Sequence, residues 1–172
     1  ERSRGLGDVY KRQFKKKLTL PDDRVSLAYC HSENGLASPS PNRIRVCDFP
    51  SILETEPNHT PKEATKTSSI LPLAFNGVIE KDGDVDYFRF RAKKNDRFYI
   101  KAHARGISSP LDPVINLYHG DGKHIRGNDD SSGGPDSLIT QTFPKDGEYI
   151  IRITDHLGRG GPLHVYLSLI HI

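Results

Sequence analysis

The sequence is short of several things, and each shortage removes a class of protein. Its 172 residues contain no tryptophan, no methionine and only two cysteines. Two cysteines cannot staple a disulfide-dense scaffold. Cys30 and Cys47 have no Cys-x-x-Cys neighbour and no paired histidines, so a zinc site is not supported. An oxidising compartment would permit a bridge between them; two unpaired thiols is the other reading, and the sequence leaves both open. No apolar run approaches the roughly 20 residues of a membrane helix, so no membrane insertion is expected. No long stripe with a 3.6-residue period is present. Gly-x-Ser-x-Gly, His-Glu-x-x-His and phosphate-loop glycine patterns are missing as well. The eight histidines invite a triad with the many serines and aspartates, but residue types without geometry carry no such signal. Asp155-His156 beside Gly158 reads as a loop. No catalytic residues are assigned, and an enzyme is not expected.

Both ends look foreign. Residues 3–13, SRGLGDVYKRQ, resemble a translated transposase sequencing adaptor with its mosaic end. Residues 167–172, LSLIHI, resemble the same mosaic end read in the opposite sense. Residues 1–13 and 167–172 are therefore set aside as one sets aside a tag. The rest is expected to be a piece cut from a longer protein. Residues 1–13 are expected to be disordered. Leu167 and Leu169 continue the alternation after Val165, so 167–172 are expected to extend the last strand, with Ser168 facing the other way.

The formal net charge is +3, and the first thirteen residues hold a surplus of two positive charges. The remainder is close to neutral, so no nucleic-acid partner is expected, since that needs a basic stripe. Lys15, Lys16 and Lys17 form one solvated cluster.

What the chain does have is short alternating stretches between explicit turns. Asp86 to Ala92 places Phe88, Phe90 and Ala92 on one face. Arg97 to Ala104 does the same with Phe98, Ile100, Ala102 and Ala104. Glu148 to Thr154 sets Tyr149, Ile151 and Ile153 opposite Arg152 and Thr154. Ile70–Phe75, Pro113–Tyr118, Leu138–Phe143 and Leu163–Tyr166 supply further strands. Between them stand Lys81-Asp82-Gly83, Gly120-Asp121-Gly122 and Lys145-Asp146-Gly147, in which glycine permits positive φ and aspartate bonds its own backbone. The pattern predicts an all-β fold, an antiparallel β-sandwich of jelly-roll type with about eight strands, over residues 67–166. Residues 49–66, with Pro50, Pro57 and Pro61, read as a linker. Residues 14–48 read as the tail of an upstream β domain, with strands at Val25–Tyr29 and Ile44–Val46 and a turn at Asn34-Gly35.

Two acidic groups stand out. Glu54, Glu56 and Asn58 alternate on an extended segment and point the same way. Asp82, Asp84 and Asp86 crowd a turn and a strand start. Calcium takes six to eight hard oxygens. An EF-hand is excluded, because Tyr87 stands at the required glycine and Lys93 at the closing glutamate. Two plainer readings stay open: Asp84 and Asp86 cap the turn, and Glu54 and Glu56 are solvated charges. Asn128-Asp129-Asp130 reads as turn chemistry rather than a metal site.

The segments "ETEPN", "NGVIEKDGDVDYFRFRAKKNDRFYI", "SPLDPVINLY", "GNDDSSGGPDSLI", "DGEYIIRITDHLGRGGP" and "VY" resemble, in order and spacing, the bacterial pre-peptidase C-terminal domain. "NGLASPSPNRIRV" resembles the last hairpin of an immunoglobulin-like, TIG-type module. The first resemblance implies a non-catalytic, monomeric accessory module of a secreted or cell-surface bacterial protein. Its partners would be an extracellular protein or polysaccharide. A structural spacer and a hydrolase fragment are the alternatives. The fold is also similar to the collagen-binding domain of clostridial collagenases. That resemblance implies calcium as cofactor, held by Glu54, Glu56, Asn58, Asp84 and Asp86. His59 replaces an acidic or amide residue of that motif.

Overall fold

The computed structural model describes residues 17–20, 26–131 and 133–172. The expected disorder of residues 1–13 lies outside them. Among the described residues, fourteen strands make two five-stranded sheets and two small ladders. The upstream segment gives β1 (Ser26–Tyr29), β2 (Ser32–Glu33), β3 (Leu36–Ala37) and β4 (Asn42–Arg45). β1 pairs with β4, and β2 with β3. Asn34 and Gly35 both take positive φ, 51° and 77°. A two-residue hairpin turn of this hand needs that pair of conformations, and Asn-Gly supplies them at least cost.

The sandwich follows. Its strands are β5 (Ser51–Leu53), β6 (Thr65–Lys66), β7 (Leu73–Val78), β8 (Asp86–Ala92), β9 (Arg97–His103), β10 (Pro113–His119), β11 (His124–Asn128), β12 (Leu138–Thr142), β13 (Gly147–Asp155) and β14 (Val165–His171). The first sheet has the order β11-β10-β13-β8-β6 and the second β12-β9-β14-β7-β5. Strands β7 to β14 pair antiparallel, whereas β5 joins β7 and β6 joins β8 in parallel. The all-β sandwich expected from the alternation is the observed fold. Residues 49–66, read from sequence as a linker, contribute one edge strand to each sheet. Strands of three and two residues are too short for a period of two to show.

The alternation explains the core. Phe88 and Phe90 on β8 stand opposite Ile151 and Tyr149 on β13. All four lie between the sheets. Phe75 stacks on Phe88 with centroids 4.6 Å apart, and Phe143 meets Tyr149 at 4.5 Å. The Tyr149 hydroxyl donates to the Lys145 carbonyl at 2.8 Å, so this large ring is buried without an orphaned polar atom.

Strand β14 runs to His171 and is the second sheet's central strand, bonded to both β7 and β9. Its two faces sort differently. Tyr166 and Ile170 enter the main core. Leu167 and Leu169 instead pack outside the sandwich with Phe49, Ala74 and Cys47. Ser168 therefore points inward, is fully buried, and its hydroxyl has no partner. An unpaired buried hydroxyl costs about 1–3 kcal/mol. Ser168→Ala is accordingly expected to leave stability unchanged or raise it by up to about 1 kcal/mol in urea unfolding, against the usual loss on substituting a core residue. A loss above about 2 kcal/mol would show that the hydroxyl has a partner.

Cys30 and Cys47 are unpaired thiols in this structure. No helix among the described residues is long and apolar enough to cross a membrane.

Candidate metal centre

Residues 54–58 cross from one sheet to the other as a strap. The strap begins on the second sheet, where the Glu54 amide donates to the Asn76 carbonyl at 2.9 Å. It ends on the first sheet, where the Tyr87 amide donates to the Asn58 carbonyl at 3.1 Å. In between, the Thr55 amide donates to Thr65 Oγ1 at 2.9 Å. Across a bend at Glu56 and a cis Glu56–Pro57 bond, the strap still brings Glu54, Glu56 and Asn58 to the same side. That side faces Asp86, the first residue of β8, at the edge where the two sheets meet.

The carboxylates converge. One oxygen each of Glu54, Glu56 and Asp86 lies within 4.8 Å of the others. Glu54 Oε1 accepts from the Val78 amide at 2.8 Å. Its Oε2 is buried and accepts from no amide or hydroxyl among the described residues. Asp86 Oδ2 accepts from the Tyr166 hydroxyl at 2.6 Å. Asn58 is fully buried. With its amide nitrogen inward it donates to Glu56 Oε1 at 3.0 Å and Asp86 Oδ1 at 3.2 Å. With its oxygen inward, three oxygens face one another, an arrangement that a bound cation or a carboxyl proton relieves.

The electrostatics record this crowding. Asp86 is pushed up to about 9, first by burial, then by its hydrogen bond to Glu54, against the opposing Tyr166 hydroxyl bond. Glu54 is raised too, chiefly by burial, with Glu56 and Glu80 adding repulsion. Tyr166 is raised well above its ordinary value by burial and by Asp86 and Glu54. Like charges in a desolvated site cannot all ionise, so Glu54 and Asp86 hold a proton between them.

Two other buried carboxylates show the contrast. Asp155 takes backbone amides from Asp112, Leu157 and Arg159, at 2.9, 3.0 and 3.0 Å. Burial alone would raise it, yet those three bonds outweigh burial and lower it. Asp136 accepts the amides of Ala104, Arg105 and Gly106. These are turn-closing carboxylates with their oxygens filled by donors. Glu54 and Asp86 instead face acceptors.

Asp84 lies beside the site and is already engaged. Its Oδ2 accepts from the Glu80 amide at 2.7 Å and its Oδ1 from the Val85 amide at 3.0 Å. It belongs to a neighbouring group with Glu56 and His59. His59 Nδ1 is 3.1 Å from Asp84 Oδ1, and His59 Nε2 is 3.2 Å from Glu56 Oε2. The structure thus brings Glu54, Glu56, Asn58 and Asp86 to one point, and Asp84 to the adjoining one. Asp82 is separate: its Oδ1 accepts the Gly160 amide at 3.0 Å. Asn128 is turn chemistry, accepting the Leu138 amide at 3.0 Å.

Sequence reasoning missed two contributors. Tyr166 reaches the site from β14, and only the pairing of β14 with β7 brings it there. Gly77, opposite Tyr166, is required by space: a Cβ there would overlap the Tyr166 hydroxyl and the Glu54 carboxylate.

A two-sheet β-sandwich with an acidic strap over one edge is the class these features define. Within it, residues 84–155 match the family model described as bacterial pre-peptidase C-terminal domain. Over 126 residues the chain is 33% identical to a probable subtilase-type serine protease of Deinococcus radiodurans. That stretch is 69% of this chain and 17% of the protease. Among solved structures, the pre-peptidase C-terminal domain of a Bacillus anthracis collagenase aligns with a TM-score of 0.50 and 14% identity, covering 68% of this chain and 99% of that one. At that identity the likeness is one of fold. PliG, a periplasmic inhibitor of g-type lysozyme from Aeromonas hydrophila, aligns with a TM-score of 0.43 and 14% identity, over 70% of this chain and 93% of its own.

Proposed function

We propose that the chain is a non-catalytic accessory module of a larger secreted or cell-surface bacterial protein, clamped by calcium at its strap. The carrying observation is the meeting of Glu54, Glu56 and Asp86 with the buried Asn58 amide, where Glu54 Oε2 accepts from no amide or hydroxyl among the described residues. The donor set is all oxygen, as a hard cation requires. Glu54, Glu56, Asn58 and Asp86 would hold the ion, with Asp84 beside them. The metal supplies the positive charge that the cluster otherwise draws from a proton. Because the strap bonds to both sheets, fixing it ties the upstream segment to the sandwich. The matched family and the protease relative support an accessory role beside a catalytic domain. Its partner would be an extracellular protein or polysaccharide.

The test is thermal unfolding with millimolar calcium against chelator. Ligand binding to the native state alone raises the midpoint by mass action, so a rise of several degrees is expected for the parent chain. Glu54→Ala with Glu56→Ala should remove the rise. An unchanged midpoint in the parent rules out the clamp. Pull-downs on collagen, peptidoglycan and polysaccharides separate a binding module, which retains one of them, from a spacer, which retains none.

A further inference from the structure

A second electrostatic anomaly lies away from the acidic strap, with the opposite sign. A cavity of about 520 Å³ opens between the β1–β4 ladder and the outer face of the second sheet. Arg45 enters it from β4, and Lys101 and His103 enter it from β9. Arg105 and His171 also line it. The acid on the same wall, and the acid beside Arg105, are already used. Asp136 accepts the amides of Ala104, Arg105 and Gly106. Asp112 pairs with Arg105 at 3.1 Å. Among the described residues Lys101 and Arg45 make no ion pair. Arg45 Nη1 donates to Ser26 Oγ at 3.0 Å, but its Nε is buried with no acceptor.

We propose that this seam is a site for a tetrahedral oxyanion, sulfate or phosphate, free or carried as an ester on a polymer. The chemistry follows from what the cavity lacks. A buried guanidinium N–H needs an acceptor, and unpaired cations on two elements need a shared negative charge. An oxyanion supplies both, and its several oxygens can bridge β4 to β9. His103 reports the deficit. It is held down at about 4, first by burial, then by Lys101 and Arg45, with His171 adding to them and Asp136 opposing. This site does not depend on the calcium clamp, since it shares no ligand with it.

The experiment follows the His103 ring by NMR in the full chain, with His103→Gln assigning the signal. Sodium sulfate, and separately phosphate, replaces sodium chloride at constant ionic strength, which holds charge screening fixed. Bound anion should raise the His103 pKa by about one unit or more. In Lys101→Gln with Arg45→Gln, that pKa should start higher and stop responding to sulfate. Lys101→Gln alone should weaken the response if the double variant fails to fold. A sulfated oligosaccharide and its unsulfated parent separate the two sources. Response to the sulfated chain at far lower concentration than to the ion identifies an ester on a polymer. Equal response identifies the free ion. Identical His103 titrations in chloride, sulfate, phosphate and the sulfated chain overturn the site, as does a sulfate response that survives the double variant.

Discussion

Phe88→Ala is expected to lower the unfolding free energy by about 3–5 kcal/mol, the range for a fully buried aromatic. Phe88 sits at the middle of β8 with no exposed surface. It stands between Ile151 of β13 and Thr65 of β6. Across the sandwich it stacks on Phe75 at 4.6 Å, and it meets the edge of Tyr166 at 6.4 Å. The substitution removes the ring's transfer energy and leaves a cavity between two sheets that cannot close without shifting both. Tyr166 also donates to Asp86, so loss of Phe88 should loosen the acidic cluster from behind. Urea unfolding measures the change. Ile70→Ala makes a matched control, because Ile70 is 77% exposed. Its cost should stay within about 0.5 kcal/mol. Equal losses at the two positions would contradict the assignment of Phe88 to the core.

The long strands were legible because one face of each is buried and the other wet. Asp86–Ala92 and Arg97–His103 alternate cleanly; the first ends where the alternation places it, and the second one residue before Ala104. β11 was not legible. His124–Asn128 lies at a sheet edge with no buried residue, so no apolar period marks it. The acidic strap was half legible. Extended backbone alone predicts that Glu54, Glu56 and Asn58 share a side. Only the fold shows that this side meets Asp86 rather than solvent, since Asp86 is separated from Asn58 by the whole of β7. The aspartates at 82, 84 and 86 look alike in sequence, yet they divide by partner. Asp82 and Asp84 accept backbone amides, while Asp86 receives a tyrosine hydroxyl and faces other carboxylates. That division depends on which backbone donors the turn leaves within reach, and no residue pattern encodes it.

Without calcium, stability should fall as the pH rises from about 5 to about 8. Asp86 titrates near 3.8 when unfolded and about 9 when folded. Over that interval the folded state keeps a proton that the unfolded state has released. The native state binds more protons, so the slope of unfolding free energy against pH is negative. The contribution is complete below the unfolded value and is lost as pH climbs through the folded one. Glu54, also raised, acts in the same direction. Asp155, lowered by its amide donors, acts oppositely: its stabilisation is present at neutral pH and disappears on acidification. On the proposed clamp, calcium would displace the shared proton, so its stabilising effect should grow with pH. Asp86→Asn tests the argument directly. Asparagine keeps the shape, needs no proton, and can donate to Glu54. In chelator the variant should be more stable than the parent at about pH 8, with a flatter pH profile between about 5 and 8. It should also lose the calcium response. A parent chain whose stability in chelator is constant across that interval would mean that Asp86 carries its charge freely, and the carboxylates would then not be competing for one proton.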